Sequence, residues 1–198
     1  MHLKTKTGLA LIVLGIGILG AWSWWTGTRN FVPVRMPVPS AAGQSITSEF
    51  KLNFDGLYLI EIEAEKTIPL DALHCLMGVE TDPEQCKWVP SVIAATWSLS
   101  SEAREIGHGS SQEQFSLPVR SNGVTRVIGE FQGKAGKSYK LQVTFAAETG
   151  GLAAAHPKLQ VAVASIAYTD LESAKVLVFS TVFICVLFGV ILLAVAFF

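Results

Sequence analysis

Charge is what this 198-residue chain has little of: Asp, Glu, Lys and Arg make up 16% of it, against 50% hydrophobic residues. A soluble domain carries about 25% charged residues, so part of the apolar excess is expected to face lipid. Neither sign dominates, with fifteen Lys and Arg against sixteen Asp and Glu, and that balance excludes the broad basic face of a nucleic-acid binder. Cysteines number three, and no two lie two to four residues apart, so the ligand spacing of a structural zinc site is missing. The nucleophile elbow G-x-S-x-G is missing too, which leaves His108, beside Ser110 and Ser111, as a loop histidine without the strand-to-helix turn of a hydrolase. His156, ahead of Pro157, has no partner readable in sequence. These absences give the expectation of a non-enzymatic protein with neither cofactor nor metal.

What is present begins with two uncharged runs. Gly8 to Trp25 spans ~27 Å as a helix and Val176 to Phe198 ~34 Å, each enough to cross a bilayer. Lys4 and Lys6 precede the first run, so the N-terminus is expected in the cytoplasm. Two crossings then place residues 26–174 outside it and return the C-terminus inside. A cleaved signal peptide would need small residues where Trp22, Trp24 and Trp25 stand, and those tryptophans suit an aromatic belt at the outer interface. Gly15, Gly17 and Gly20 spell the dinucleotide fingerprint, but within an apolar helix they have no pyrophosphate to meet. Small residues four apart, Gly17 with Ala21 and Thr181 with Cys185 and Gly189, are read as helix-packing positions, either within the chain or in a homo- or hetero-oligomer.

The external segment holds twelve basic and all sixteen acidic residues and is mildly acidic. Residues 26–45, rich in proline, read as a linker with a short edge strand around Phe31 to Met36, a connection that would stretch to ~65 Å if free. From residue 46 the period becomes two. Phe50, Leu52 and Phe54 alternate with polar neighbours, Asp55-Gly56 has the chemistry of a two-residue hairpin turn, and Tyr58, Ile60, Ile62 and Ala64 alternate with Leu59, Glu61, Glu63 and Glu65. Asn122-Gly123 gives a second turn between strands at 114–120 and 124–131, and Gly133 to Lys137 leads into the alternating Tyr139, Leu141, Val143 and Phe145. With further runs at 93–100, 104–108 and 159–168, the expectation is a single antiparallel β-sandwich over residues 46–169. It resembles bacterial jelly-roll domains at the level of the fold. Residues 1–7 are then a cytoplasmic N-terminus and 8–25 the first transmembrane helix. Residues 170–198 form a helix capped by the Thr169-x-x-Glu172 box that continues as the second transmembrane helix.

Cys75 and Cys86 bracket a loop outside the cytoplasm, where disulfides persist, and are expected to be bridged. Cys185 stays a free thiol in the second helix. Glu61, Glu63 and Glu65 fall on one side of a strand about 6.5 to 7 Å apart, either as a docking face for a basic partner or as a solvated face. Trp97, in mid-strand, is expected to fill the core, whereas Trp88, just past Cys86, is the exposed candidate for partner contact or sugar stacking. The functional expectation is a bacterial inner-membrane protein whose periplasmic sandwich binds a protein partner at the membrane surface, as an envelope-complex subunit or a toxin-neutralising immunity protein. The alternative is a membrane-anchored glycan or cell-wall binding module.

Overall fold

The computed structural model describes residues 2–79, 84, 86–112 and 123–197, and of 2–4, 165–172 and 197 the backbone alone. The elements run α1 (His2–Gly27), β1 (Val34–Pro37), β2 (Ser45–Lys51), β3 (Gly56–Glu65), α2 (Leu70–Met77), β4 (Ala95–Ser101), β5 (Arg104–Ser110), β6 (Gly123–Gly133), β7 (Ser138–Phe145), a 3-10 helix (Gly150–Ala155), β8 (Lys158–Val163) and α3 (Ser165–Phe197). They form two units: Met1–Arg29 with Ser165–Phe198, and Asn30–Ala164.

The first unit is a pair of apolar helices, and within them Thr5–Gly27 and Ser173–Ala196 are long and apolar enough to cross a membrane. Strand pairing ends at Val163 and α3 starts at Ser165, so Thr169 lies inside the helix and does not cap its start.

The second unit is mainly β, with two four-stranded antiparallel sheets of order β1-β8-β3-β6 and β2-β7-β4-β5. Alternation makes β3 the spine of the first sheet: Tyr58, Ile60, Ile62 and Ala64 are fully buried. The sheets meet in a sandwich-like arrangement. Phe131 of β6 lies against Tyr139 of β7, ring centroids 5.4 Å apart, in a cluster with Tyr58 and Phe50. Trp97 of β4 reaches across to β6 and donates its indole N–H to the Ile128 carbonyl at 2.6 Å. Gly129 makes room for that ring, since a Cβ there would sit 2.3 Å from Trp97 Cε2.

Two readings from sequence change. Asp55-Gly56 joins strands of different sheets, so it makes no hairpin, and the Asp55 side chain instead accepts the Ala135 N–H at 2.5 Å. Among the described residues β4 and β5 do form a hairpin, and its turn residues Glu102 and Ala103 both have positive φ, 53° and 63°. Residues 30–44 are no free linker. Asn30 N–H bonds the Asn53 side chain at 3.0 Å, Phe31 accepts from Val163, β1 pairs with β8, and Gly43 N–H bonds Phe145 at 2.7 Å. Pro33 and Pro37 bracket β1 on the sheet edge, where a missing N–H costs no ladder bond. The strand expected at 114–120 and Asn122 lie outside the described residues.

The registers define two ends of this unit. Gly56, Gly133 and Val163 are level at one end, with the β4–β5 and β6–β7 turns. Both connections to the apolar helices leave from this end, at Asn30 and Ala164. The opposite end receives Glu65, and there the described residues between β3 and β4, α2 among them, form an insertion.

Candidate functional site

The insertion is built as a braced platform. In α2, Leu73, Cys75 and Met77 are buried, and Gly78, in the left-handed region at φ 66°, ends the helix with its N–H on the Cys75 carbonyl at 2.9 Å. Cys75 is bonded to Cys86, Cα atoms 5.1 Å apart. Val89 N–H closes a turn onto the Cys86 carbonyl at 3.0 Å, and Val92 N–H returns to Leu76 at 3.0 Å. Trp88 sits inside that turn, between the Cys86 and Val92 anchors, and is 86% exposed.

Arg126 fastens the platform to the sheet. This β6 side chain is buried, and its guanidinium donates to the Met77 carbonyl at 2.7 Å, to Ser91 Oγ at 2.9 Å and to the Ser111 carbonyl at 2.7 Å. Among the described residues no carboxylate pairs with it, and desolvation by burial lowers its pKa. The C-terminal carbonyl of α2, the negative end of the helix dipole, is part of what its charge meets. Gly78 is required here on a second count, because a Cβ would stand 2.2 Å from Arg126 Nη1.

The three glutamates share one side of β3, as the period-two pattern places them, but they do not form a bare acidic face. Glu61 is 2% exposed and accepts from Gln160 Nε2 at 2.7 Å. Glu63 pairs with Arg35 of β1. Glu65 accepts from Lys158 Nζ at 2.6 Å and faces His156 Nδ1 at 3.1 Å. The Lys158 hydrogen bond, then that of His156, holds the Glu65 carboxyl below its usual range. The mutual repulsion that a basic partner would relieve is thus relieved by β1 and β8. His108 contacts Glu105 at 2.8 Å on the exposed edge strand β5, and Ser111 Oγ bonds backbone groups of Ile93 and Ala95.

In the helix pair the close contact falls on Gly8 and Gly189, of which the spacing marks only Gly189. Gly8 and Gly189 meet backbone to backbone: a Cβ on either would lie 2.8 Å from the other's carbonyl oxygen. Gly15 faces Val182, Cys185 and Val186. Gly8 and Gly15, like Val182, Gly189 and Ala196, repeat every seven residues, the period that keeps one seam between two helices. Gly17 has nothing within 4 Å of a Cβ, while Ala21 and Thr181 are exposed, so these three stand off the seam that Cys185 and Gly189 share.

Sequence reasoning missed α2 and Arg126. Pro69, Asp71 and Gly78 form a start-to-stop signal over a short helix, but Arg126 lies far along the chain in an apolar strand with nothing local to mark it. No family model matches the chain, and no curated protein matches it. Among solved structures, the crystal structure of GEBA250068378 from Sulfurospirillum deleyianum is similar, at 11% identity and a TM-score of 0.49, over 66% of this chain and 96% of that one.

Proposed function

We propose that the chain is a non-catalytic protein of a bacterial inner membrane, with both ends cytoplasmic and residues 30–164 periplasmic. Its two sheets then form a jelly-roll sandwich that docks a protein partner, as an envelope-complex subunit or a toxin-neutralising immunity protein. The strand orders β1-β8-β3-β6 and β2-β7-β4-β5 support the jelly-roll reading, since each sheet takes its strands alternately from the two halves of the chain. The observation that carries the docking reading is Trp88. An indole left 86% exposed on a turn fixed by a disulfide and a buried arginine is a pre-ordered anchor, and tryptophan is the residue type most enriched at binding hot spots. Its place in the insertion sets the docking surface at the end of the domain opposite the tethers.

The test is purification of the tagged full-length chain from its native membrane as wild type, Trp88→Ala and Lys66→Ala. A partner docked on Trp88 is lost from the Trp88→Ala sample and kept in the other two; a partner kept in all three contradicts the reading. An exposed indole also suits sugar stacking, the cell-wall alternative. That alternative predicts binding of wild-type protein, and not of Trp88→Ala, to purified peptidoglycan.

A further inference from the structure

The second sheet buries one face and leaves the other polar. On the side away from the core, the outward side chains of β2, β4, β5 and β7 are Ser, Thr, Gln, Glu, Lys, Arg and His, with Ile106 at the β5 bulge the exception among the described residues. Register lines them up in rows: Thr47, Gln142, Ser98 and His108 in one, and Glu49, Lys140, Ser100 and Glu105 in the next. Neighbouring strands are about 4.8 Å apart and like-facing residues along a strand about 7 Å, so these groups form a grid on the scale of a sugar ring. A hollow of about 550 Å³ lies on this face, with Ser98, Ser138, Gln142, Glu49 and Lys140 among its lining residues and Glu102 of the β4–β5 turn beside them.

We infer that this face binds a neutral oligosaccharide, at a site that shares no residue with the turn carrying Trp88 and does not depend on the docking proposal. The unengaged groups carry the inference. Among the described residues the side chains of Ser98, Ser138 and Gln142 make no hydrogen bond, which leaves two hydroxyls and an amide, donors and acceptors together, open to one ligand in the hollow. Charge argues against an ionic ligand. Glu49, Glu102 and Glu105 stand against Lys51, Lys137, Lys140 and Arg104, three acidic to four basic, and Lys140 lies 3.7 Å from Glu49 and Lys137 3.4 Å from Glu102. Composition argues against a protein, because interfaces are depleted in Ser, Lys and Glu. A polyol matches what is present: hydroxyls and an amide exchange hydrogen bonds with it, and carboxylates accept from its hydroxyls. Glu102 lines the hollow from left-handed backbone, φ 53°, a conformation that glycine adopts without strain.

The experiment is saturation-transfer NMR on the full chain in nanodiscs, with cellohexaose, chitohexaose, maltohexaose and soluble peptidoglycan fragments as probes. Wild type is expected to transfer saturation to at least one of the neutral oligomers. Gln142→Ala and Ser98→Ala should each weaken that binding about fivefold, the worth of one net hydrogen bond, while Lys66→Ala matches wild type. Should one of the two variants unfold on a thermal melt, the other carries the test. Transfer to none of the neutral oligomers overturns the inference, and so does binding unchanged in both variants. Binding confined to the charged peptidoglycan fragments overturns it as well. Binding lost in Trp88→Ala and kept in Gln142→Ala and Ser98→Ala would put the sugar on the indole, supporting the stacking alternative against this inference.

Discussion

The tethered end of the two-sheet domain and the opposite end are held together in different ways. At the tethered end the strands finish level and pass one another by connections of a few residues, so the sheet ladders themselves fix the loops. At the opposite end, the described residues between β3 and β4 join neither sheet, and their order comes from a disulfide, a short helix and a buried guanidinium. An insertion without a ladder has to be cross-linked to present a fixed surface, and loops fixed on a rigid scaffold are where binding residues concentrate. The braces around Trp88 are therefore read as the cost of presenting it.

Breaking the braces is the way to test that contrast. Cys75→Ser or Cys86→Ser should lower unfolding stability by about 3 kcal/mol in urea melts, the chain-entropy figure for a loop this short, and the double mutant should be no worse than either single one. Arg126→Met should cost about 2 kcal/mol, because the Met77 and Ser111 carbonyls lose their donor, and hydrogen exchange should rise in α2 and leave β2 and β7 protected.

A smaller effect comes from Glu65. Its folded carboxyl titrates below the ordinary glutamate range, so its contribution is fully present above that range and is lost as pH falls through the lowered value. Wild type should then lose its advantage over Glu65→Gln in urea melts taken downward from about pH 6. The smallest stability effect belongs to Trp88→Ala, expected within about 0.5 kcal/mol of wild type, since the exposed ring packs on little. A large loss there would make Trp88 a structural residue.

Local pattern carried part of this structure into the sequence. Alternation marked β3 and β7 because each has one buried face, and two cysteines eleven residues apart marked the bond between Cys75 and Cys86. The turns were misread because turn chemistry is a local preference while sheet membership is not: Asp55-Gly56 crosses between sheets, and the β4–β5 hairpin turns on Glu102 and Ala103 without a glycine. Trp97 and Trp88 separated correctly, the first buried and the second exposed, since a mid-strand position and a loop after a cysteine differ in sequence. The partners of Glu61, Glu63 and Glu65 come from Gln160, Arg35, Lys158 and His156, on or next to strands whose register is set by the whole sheet. In the helix pair, four-residue spacing found Cys185 and Gly189 but also Gly17, because spacing along one helix does not say which side meets the other.

The central claim is that the domain meets its partner at the Trp88 end. Replacing Trp88, and in a second protein Lys134, with a photo-crosslinking phenylalanine analogue in the full-length chain, and irradiating native membranes, tests it most directly. A protein adduct from position 88 and none from position 134 is the predicted result; a protein adduct from 134 with none from 88 would contradict the account.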